Sequence, residues 1–343
     1  MTVIGAGQIY DRLISFGGVS TSLDSILWTP KSNIITPFPP RNRIQCMATN
    51  GTTHVAACDN GLVGVTTDLN TWWQSKILGG NFSPRKISYG QNGGRPVFAA
   101  AGQRKYDPPS QLAEEYLPGD EVGEIVIMEP SNHTQWLLAF TNPMPNSILH
   151  SIKFFDKVMV DGITTYVWVA VGSRDFQPEI WYSLGINFRI DNGAPDPNTW
   201  QQVPVPSAYA DRPVMDVCQR GKTLWFSGRG FVLSTDDLAH PDWTYSQEFT
   251  DGGARADFAS IAANTTGTMV AVSSGSIIST KDAVAWSSFN YAGYSFRSVI
   301  WHNNLWIVGA SSDLVDKTYF TSTDGLSWTP RNNGLQMYAL CSY

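Results

Sequence analysis

One ten-residue stretch constrains this chain most: Thr321-Ser322-Thr323-Asp324-Gly325-Leu326-Ser327-Trp328-Thr329-Pro330. An Asp-Gly pair between two short β-type runs is a strong hairpin signal, because Gly accepts positive φ and Asp bonds nearby backbone N–H groups. The Ser/Thr-x-Asp-x-x-x-Trp spacing of Ser322, Asp324 and Trp328 recurs in Ser22, Asp24 and Trp28, in Thr66, Asp68 and Trp72, and in Thr280, Asp282 and Trp286. Ser234, Asp236 and Trp243 repeat it with three extra residues in the turn, and Trp136 and Trp200 end two decayed copies. The seven tryptophans 28, 72, 136, 200, 243, 286 and 328 are spaced by 44, 64, 64, 43, 43 and 42 residues.

A period near 43 carrying strand pattern predicts a propeller of four-stranded blades rather than a helical solenoid. The expected fold is therefore all-β, a seven-bladed β-propeller forming one domain over residues 1–343. Blades are expected at 42–78, 84–141, 146–205, 212–249, 255–291 and 295–331, with blade 1 formed by 1–33 plus 336–343. Thr2–Gly7 resembles the second strand of the last repeat, Leu305–Ala310, so blade 1 lacks a first strand. Gln336–Cys341 supplies it, which closes the ring and removes a free edge.

The two long spacings reflect insertions, at 103–123 and at 184–198. Alternate propeller loops emerge on opposite faces. The first insertion is expected on the face bearing the blade-to-blade connections, the second on the other. Long loops on a rigid scaffold are where function concentrates.

Composition excludes several classes. A net charge of −6 argues against non-specific nucleic-acid binding. No charged start with an apolar run marks a signal peptide, and no segment is long enough for a membrane-spanning helix. Cys46, Cys58, Cys218 and Cys341 have no CxxC spacing and sit in apolar strand patterns, so structural thiols are expected. His54, His133, His150, His240 and His302 show no ligand spacing, so no metal is expected, and no cofactor motif occurs.

The repeated Ser/Thr-x-Asp…Trp hairpin resembles the Asp-box, or BNR repeat, of sialidase-like propellers. In this chain Gly325 follows Asp324 directly and the tryptophan comes four residues after the aspartate. That shorter form is similar to repeats of phage and bacterial propellers with structural or binding roles. The resemblance implies structural work for Asp24, Asp68, Asp236, Asp282 and Asp324 in their turns, and inter-blade packing for Trp28, Trp72, Trp243, Trp286 and Trp328. It also implies a non-enzymatic bacteriophage virion component of a tail, fibre or capsid-attached kind. Such a protein is made in the host cytoplasm and assembled with other virion proteins or a host-surface glycan or receptor. Two alternatives stay open: a sialidase-like glycoside hydrolase or sugar-binding protein, and an assembly factor. Against the hydrolase, Phe188-Arg189-Ile190 is followed by Asp191 where sialidases carry Pro, and it lies mid-chain.

Arginine recurs near the start of the first, innermost strand: Arg43, Arg85, Arg212, Arg255 and Arg297. These guanidinium groups are candidates for an anion or partner-docking rim at the channel mouth. The competing reading pairs them locally with Asp211, Asp251, Asp257 or the acidic 103–123 insertion.

Overall fold

The computed structural model describes residues 3–11, 14–22, 29–30, 44–58, 61–76, 81–92, 94–105, 121–132, 135–185, 199–251, 253–312, 319–332 and 336–342. Among them the strands form seven four-stranded antiparallel sheets and one two-stranded ribbon, Thr250–Asp251 with Ala254–Arg255. Regular helix among the described residues is one 3-10 turn, Ser207–Tyr209.

Six of the sheets are meanders of consecutive strands, such as Ile44–Thr49, His54–Cys58, Leu62–Thr66 and Trp73–Lys76. Burial peaks in the middle strands of each sheet and falls off in the fourth. The second strands His54–Cys58 and Met269–Ser273 are buried throughout, while the fourth strand Ser287–Asn290 is mostly exposed. A strand covered on both faces reads as a continuous apolar run, which is why Val97-Phe98-Ala99-Ala100-Ala101 and Val167-Trp168-Val169-Ala170-Val171 show no alternation.

The seventh sheet joins the two ends of the chain. Gln336–Ser342 pairs antiparallel with Val3–Asp11, in the register Ile4 to Cys341 and Gly7 to Met337. Ile14–Ser22 and Thr29–Pro30 complete it. The C-terminal strand is thus innermost. The seven innermost strands touch in a closed cycle, from Ile44–Thr49 through Phe82–Asn92, Ser147–Val160, Val214–Arg220, Phe258–Ala263 and Ser295–His302 to Gln336–Ser342 and back.

The core follows the same cycle. Each buried cluster is shared by two successive sheets. Val270, Val272 and Ile277 meet Phe296, Trp306 and Phe320, and Ile307 and Tyr319 meet Met337 and Leu340. Burial of apolar surface therefore works between sheets rather than within one, as expected of a β-propeller.

Asp161 and Gly162, both at positive φ (53° and 74°), form a two-residue hairpin between Val160 and Ile163, as the Asp-Gly signal requires. Asp324-Gly325 differs. Thr321 pairs with Thr329, so this pair sits inside a seven-residue loop rather than a tight turn.

Candidate functional site: the mouth of the central channel

The repeated turns join the third and fourth strands of their sheets, on the face opposite the starts of the innermost strands. In the loop after Leu62–Thr66, Asp68 Oδ1 accepts N–H bonds from Asn70 (2.8 Å) and Thr71 (2.7 Å), and Thr66 Oγ1 accepts one from Leu69 (3.0 Å). Asp282 does the same for Val284 and Ala285, both at 2.9 Å, and Asp324 for Leu326 and Ser327, both at 2.8 Å. The backbone amides of Thr71 and Asn70 hold the Asp68 carboxyl down to about 2. At Asp324 burial pushes the carboxyl up, but the amides of Ser327 and Leu326 and the Ser322 hydroxyl outweigh it and bring it to about 2. The residue after each aspartate has positive φ: Leu69 (61°), Ala283 (67°) and Gly325 (73°). The aspartate bonds set this turn, and glycine is not required for it.

The fifth copy corrects the sequence reading. Thr235, not Ser234, ends its strand (Phe231–Thr235), which moves the hydroxyl–carboxylate spacing on by one residue. Asp237, rather than Asp236, therefore accepts the amides of Ala239 (2.8 Å) and His240 (3.3 Å). Asp237 also takes the amides of Asp161 (3.1 Å) and Gly162 (3.0 Å) from the neighbouring sheet's hairpin. Asp236 instead accepts a bond from Thr223 Oγ1 at 2.5 Å.

Trp72, Trp243, Trp286 and Trp328 are half-buried against inter-sheet clusters, while the decayed-copy tryptophans Trp136 and Trp200 are fully buried. Asp24 and Trp28 lie outside the described residues.

The innermost strands carry a feature the sequence reading missed. Each has a register shift near its start that leaves one residue extra: Gln45, Arg85, His150, Met215, Ala259, Arg297 and Tyr338. Such a bulge re-aims its side chain away from the pleat. All seven line one space of about 70 Å³ at one end of the channel. On the other side of a narrow waist the channel opens into about 630 Å³, lined by Thr49, Tyr89, Phe155, Gln219, Asn264 and Trp301 among others.

The waist is built from the residues that follow the bulges. Asp216 is fully buried, and Lys153 Nζ lies 3.0 Å from its carboxylate. Ser151 Oγ donates to Oδ1 (2.7 Å), while Ser260 Oγ (3.1 Å) and the Ile261 amide (3.0 Å) donate to Oδ2. Burial alone would raise this carboxyl; the charges of Lys153 and Lys86, with the Ser151 and Ile261 bonds, bring it down to about 2. Lys86 makes no direct hydrogen bond or ion pair among the described residues, and burial pushes its ammonium below its usual range. His150 is pushed down to about 4, by burial first and by the Arg85 charge second, and is neutral near pH 7.

The five predicted arginines do not form one ring. Arg85 and Arg297 are the bulged residues of their strands and open at the mouth. Arg212 and Arg255 sit three and four residues before Met215 and Ala259, the equivalent positions. They share Asp211 and Glu248 instead. Arg255 lies 2.8 Å from Asp211 and 2.9 Å from Glu248, and Arg212 3.6 and 3.5 Å from the same two acids. Arg43 lies outside the described residues. Arg85 donates to Gln103 Oε1 at 3.2 Å, and the Lys105 amide donates to Asn81 O, so the described base of the 103–123 insertion stands on the mouth's own face.

No family model matches the chain, and no curated protein matches it in sequence. Solved structures do match in shape. A streptogramin B lyase aligns with a TM-score of 0.58 at 10% identity, over 89% of this chain and 90% of that one. A catalytically inactive virginiamycin B lyase from Staphylococcus aureus with quinupristin aligns at 0.57 and 8% identity, over 88% and 86%. YCF48 bound to D1 peptide aligns at 0.52 and 12% identity, over 84% and 80%. At such identities the likeness concerns fold alone, and that fold is the β-propeller.

Proposed function

We propose that this chain is a seven-bladed, Asp-box type propeller that works as a non-enzymatic binding module, a structural component of a bacteriophage particle. It is made in the host cytoplasm and docks on other virion proteins through the face on which the channel mouth opens. The observation that carries this reading is the ring of bulged side chains. Seven strands each aim one residue into a single mouth, and these residues are chemically varied rather than a repeated structural filler.

The chemistry at the mouth favours binding over turnover. Asp216 is the sole acid among the described lining residues, and both its oxygens are engaged by Lys153, Ser151, Ser260 and Ile261. General acid–base catalysis on a glycoside needs two carboxylates facing the substrate. Arg, Tyr and Met at the mouth are residue types enriched at interface cores. YCF48, a propeller of similar fold, has been solved with a bound peptide. The experiment is residue-level cross-linking of the assembled particle. Cross-links from the mouth face to a second protein support the reading. A mouth face left bare, with the 184–198 side buried, overturns it.

A further inference from the structure

We propose that the channel mouth is a site for a single carboxylate, carried by an acidic side chain or chain end of a partner polypeptide. This rests on the reading of the mouth face as the docking face and names the group it captures.

The argument starts from charge. The chain as a whole carries −6, yet the described residues lining the channel include four cations, Arg85, Lys86, Lys153 and Arg297, and one acid, Asp216. Lys153 is spent on Asp216. Lys86 and Arg297 make no ion pair among the described residues, and Arg85 bonds only a neutral amide. Lys86 is coupled electrostatically to Asp216, which leaves Arg85 and Arg297 as the charges at the mouth with no acidic partner among the described residues. A cleft with low-dielectric walls concentrates such a field.

Geometry selects the group. The space of about 70 Å³ admits a small polar group and excludes a sugar ring or nucleotide, for which pockets run to several hundred Å³. Its walls include Met215, Ala259, Tyr338 and Leu340, which suit the short apolar stem behind a carboxylate. Its floor is the buried, ionised Asp216. A phosphate dianion would meet more repulsion there than a carboxylate monoanion, and Arg is suited to planar two-oxygen recognition. The bulges matter for preorganisation. The register shifts turn the Cα–Cβ bonds of Arg85 and Arg297 toward the mouth, which lowers part of the ordering cost of binding.

The test is calorimetric titration of the full chain with acetyl-Gly-Glu-Gly-amide, its Gln counterpart and inorganic phosphate. The expected result is one saturable site for the Glu peptide, about ten- to hundredfold weaker binding of the Gln peptide, and a similar loss in Arg85→Gln and Arg297→Gln. Arg297→Lys should retain part of the affinity, and Lys222→Gln, in an exposed turn between Arg220 and Thr223, all of it. Both arginines are exposed, so these variants should melt as the parent does. Equal binding of the Glu and Gln peptides, or undiminished binding by Arg85→Gln and Arg297→Gln, overturns the site. Phosphate binding tighter than the Glu peptide overturns the carboxylate assignment. The two readings fail separately: a particle docked by this face but indifferent to both arginine variants sinks the carboxylate site alone, while peptide binding with the face bare in the particle sinks the docking role.

Discussion

Lys153 and Asp216 stand 3.0 Å apart at the waist of the channel, on innermost strands of two neighbouring sheets. The pair ties three strands together, because Ser151 comes from the Lys153 strand and Ser260 and Ile261 from a third. Removing one partner of a buried pair leaves an uncompensated charge. Asp216→Asn should therefore cost about 3–5 kcal/mol, read by chemical denaturation. A loss under about 1 kcal/mol, the range of an exposed pair, would mean the waist is hydrated and the network unimportant.

Asp216 and, near it, His150 both contribute to the acid limb of stability. The Asp216 carboxyl sits at about 2 in the fold against roughly 3.9 unfolded. Its folded value is depressed, so its contribution is complete above pH 4 and is lost as pH falls from about 4 through 2. His150, held down at about 4 against roughly 6.5 unfolded, is lost earlier, as pH falls from about 6.5 to 4. Melting temperature against pH should show two descending segments. His150→Gln should make the upper one shallower, although buried His54 also contributes there, and Asp216→Asn the lower one, which Asp68 and Asp324 share. A wild type flat from pH 7 to 4, or a His150→Gln variant with an unchanged upper segment, would contradict this assignment.

Trp306 is fully buried between sheets, whereas Trp328, the repeat tryptophan beside it, is half-buried at the edge of the same cluster. Trp306→Ala should cost about 3–5 kcal/mol and Trp328→Ala less. Asp324→Ala, which frees the amides of Leu326 and Ser327, should cost about 1–2 kcal/mol. Denaturant midpoints of the three variants give the ranking. Trp328→Ala as costly as Trp306→Ala would show that the repeat tryptophan carries more of the packing than its exposure indicates.

Ring closure rests on the C-terminal strand. Deleting 336–343 removes Met337 and Leu340 from the cluster with Ile307 and Tyr319, and leaves Val3–Asp11 with an open edge. Lower melting and self-association are expected, measured by calorimetry and sedimentation. A monomer with unchanged melting would show that closure contributes little.

Much of this fold is legible in the chain because the repeat is written in a chemically expensive residue. Tryptophan every 43 residues or so has few uses besides packing, and the strand runs between copies are short and apolar. The pairing of Val3–Asp11 with Gln336–Ser342 follows from the missing first strand. The site is less legible. A bulge is a property of register between two strands, and nothing in Pro84-Arg85-Lys86 or Phe296-Arg297-Ser298 announces it in isolation. Aligning arginines by nearness to a strand start groups Arg212 and Arg255 with Arg85 and Arg297, although three or four residues separate them from the equivalent position. A usable signal existed. Superposing the first strands on Ser151, Asp216, Ser260 and Ser298, polar residues inside apolar runs, places His150, Met215, Ala259 and Arg297 in one ring. Asp236 misled for a similar reason, since two adjacent aspartates follow two adjacent hydroxyl residues and only strand geometry chooses between them.

The central claim is that this propeller docks through the face on which Arg85, Arg297 and Tyr338 open. Cryo-electron microscopy of the assembled particle tests it most directly. The account predicts a second polypeptide seated over the mouth, with an acidic group between Arg85 and Arg297. A mouth open to solvent, with the 184–198 side of the disc buried against the particle, would contradict it.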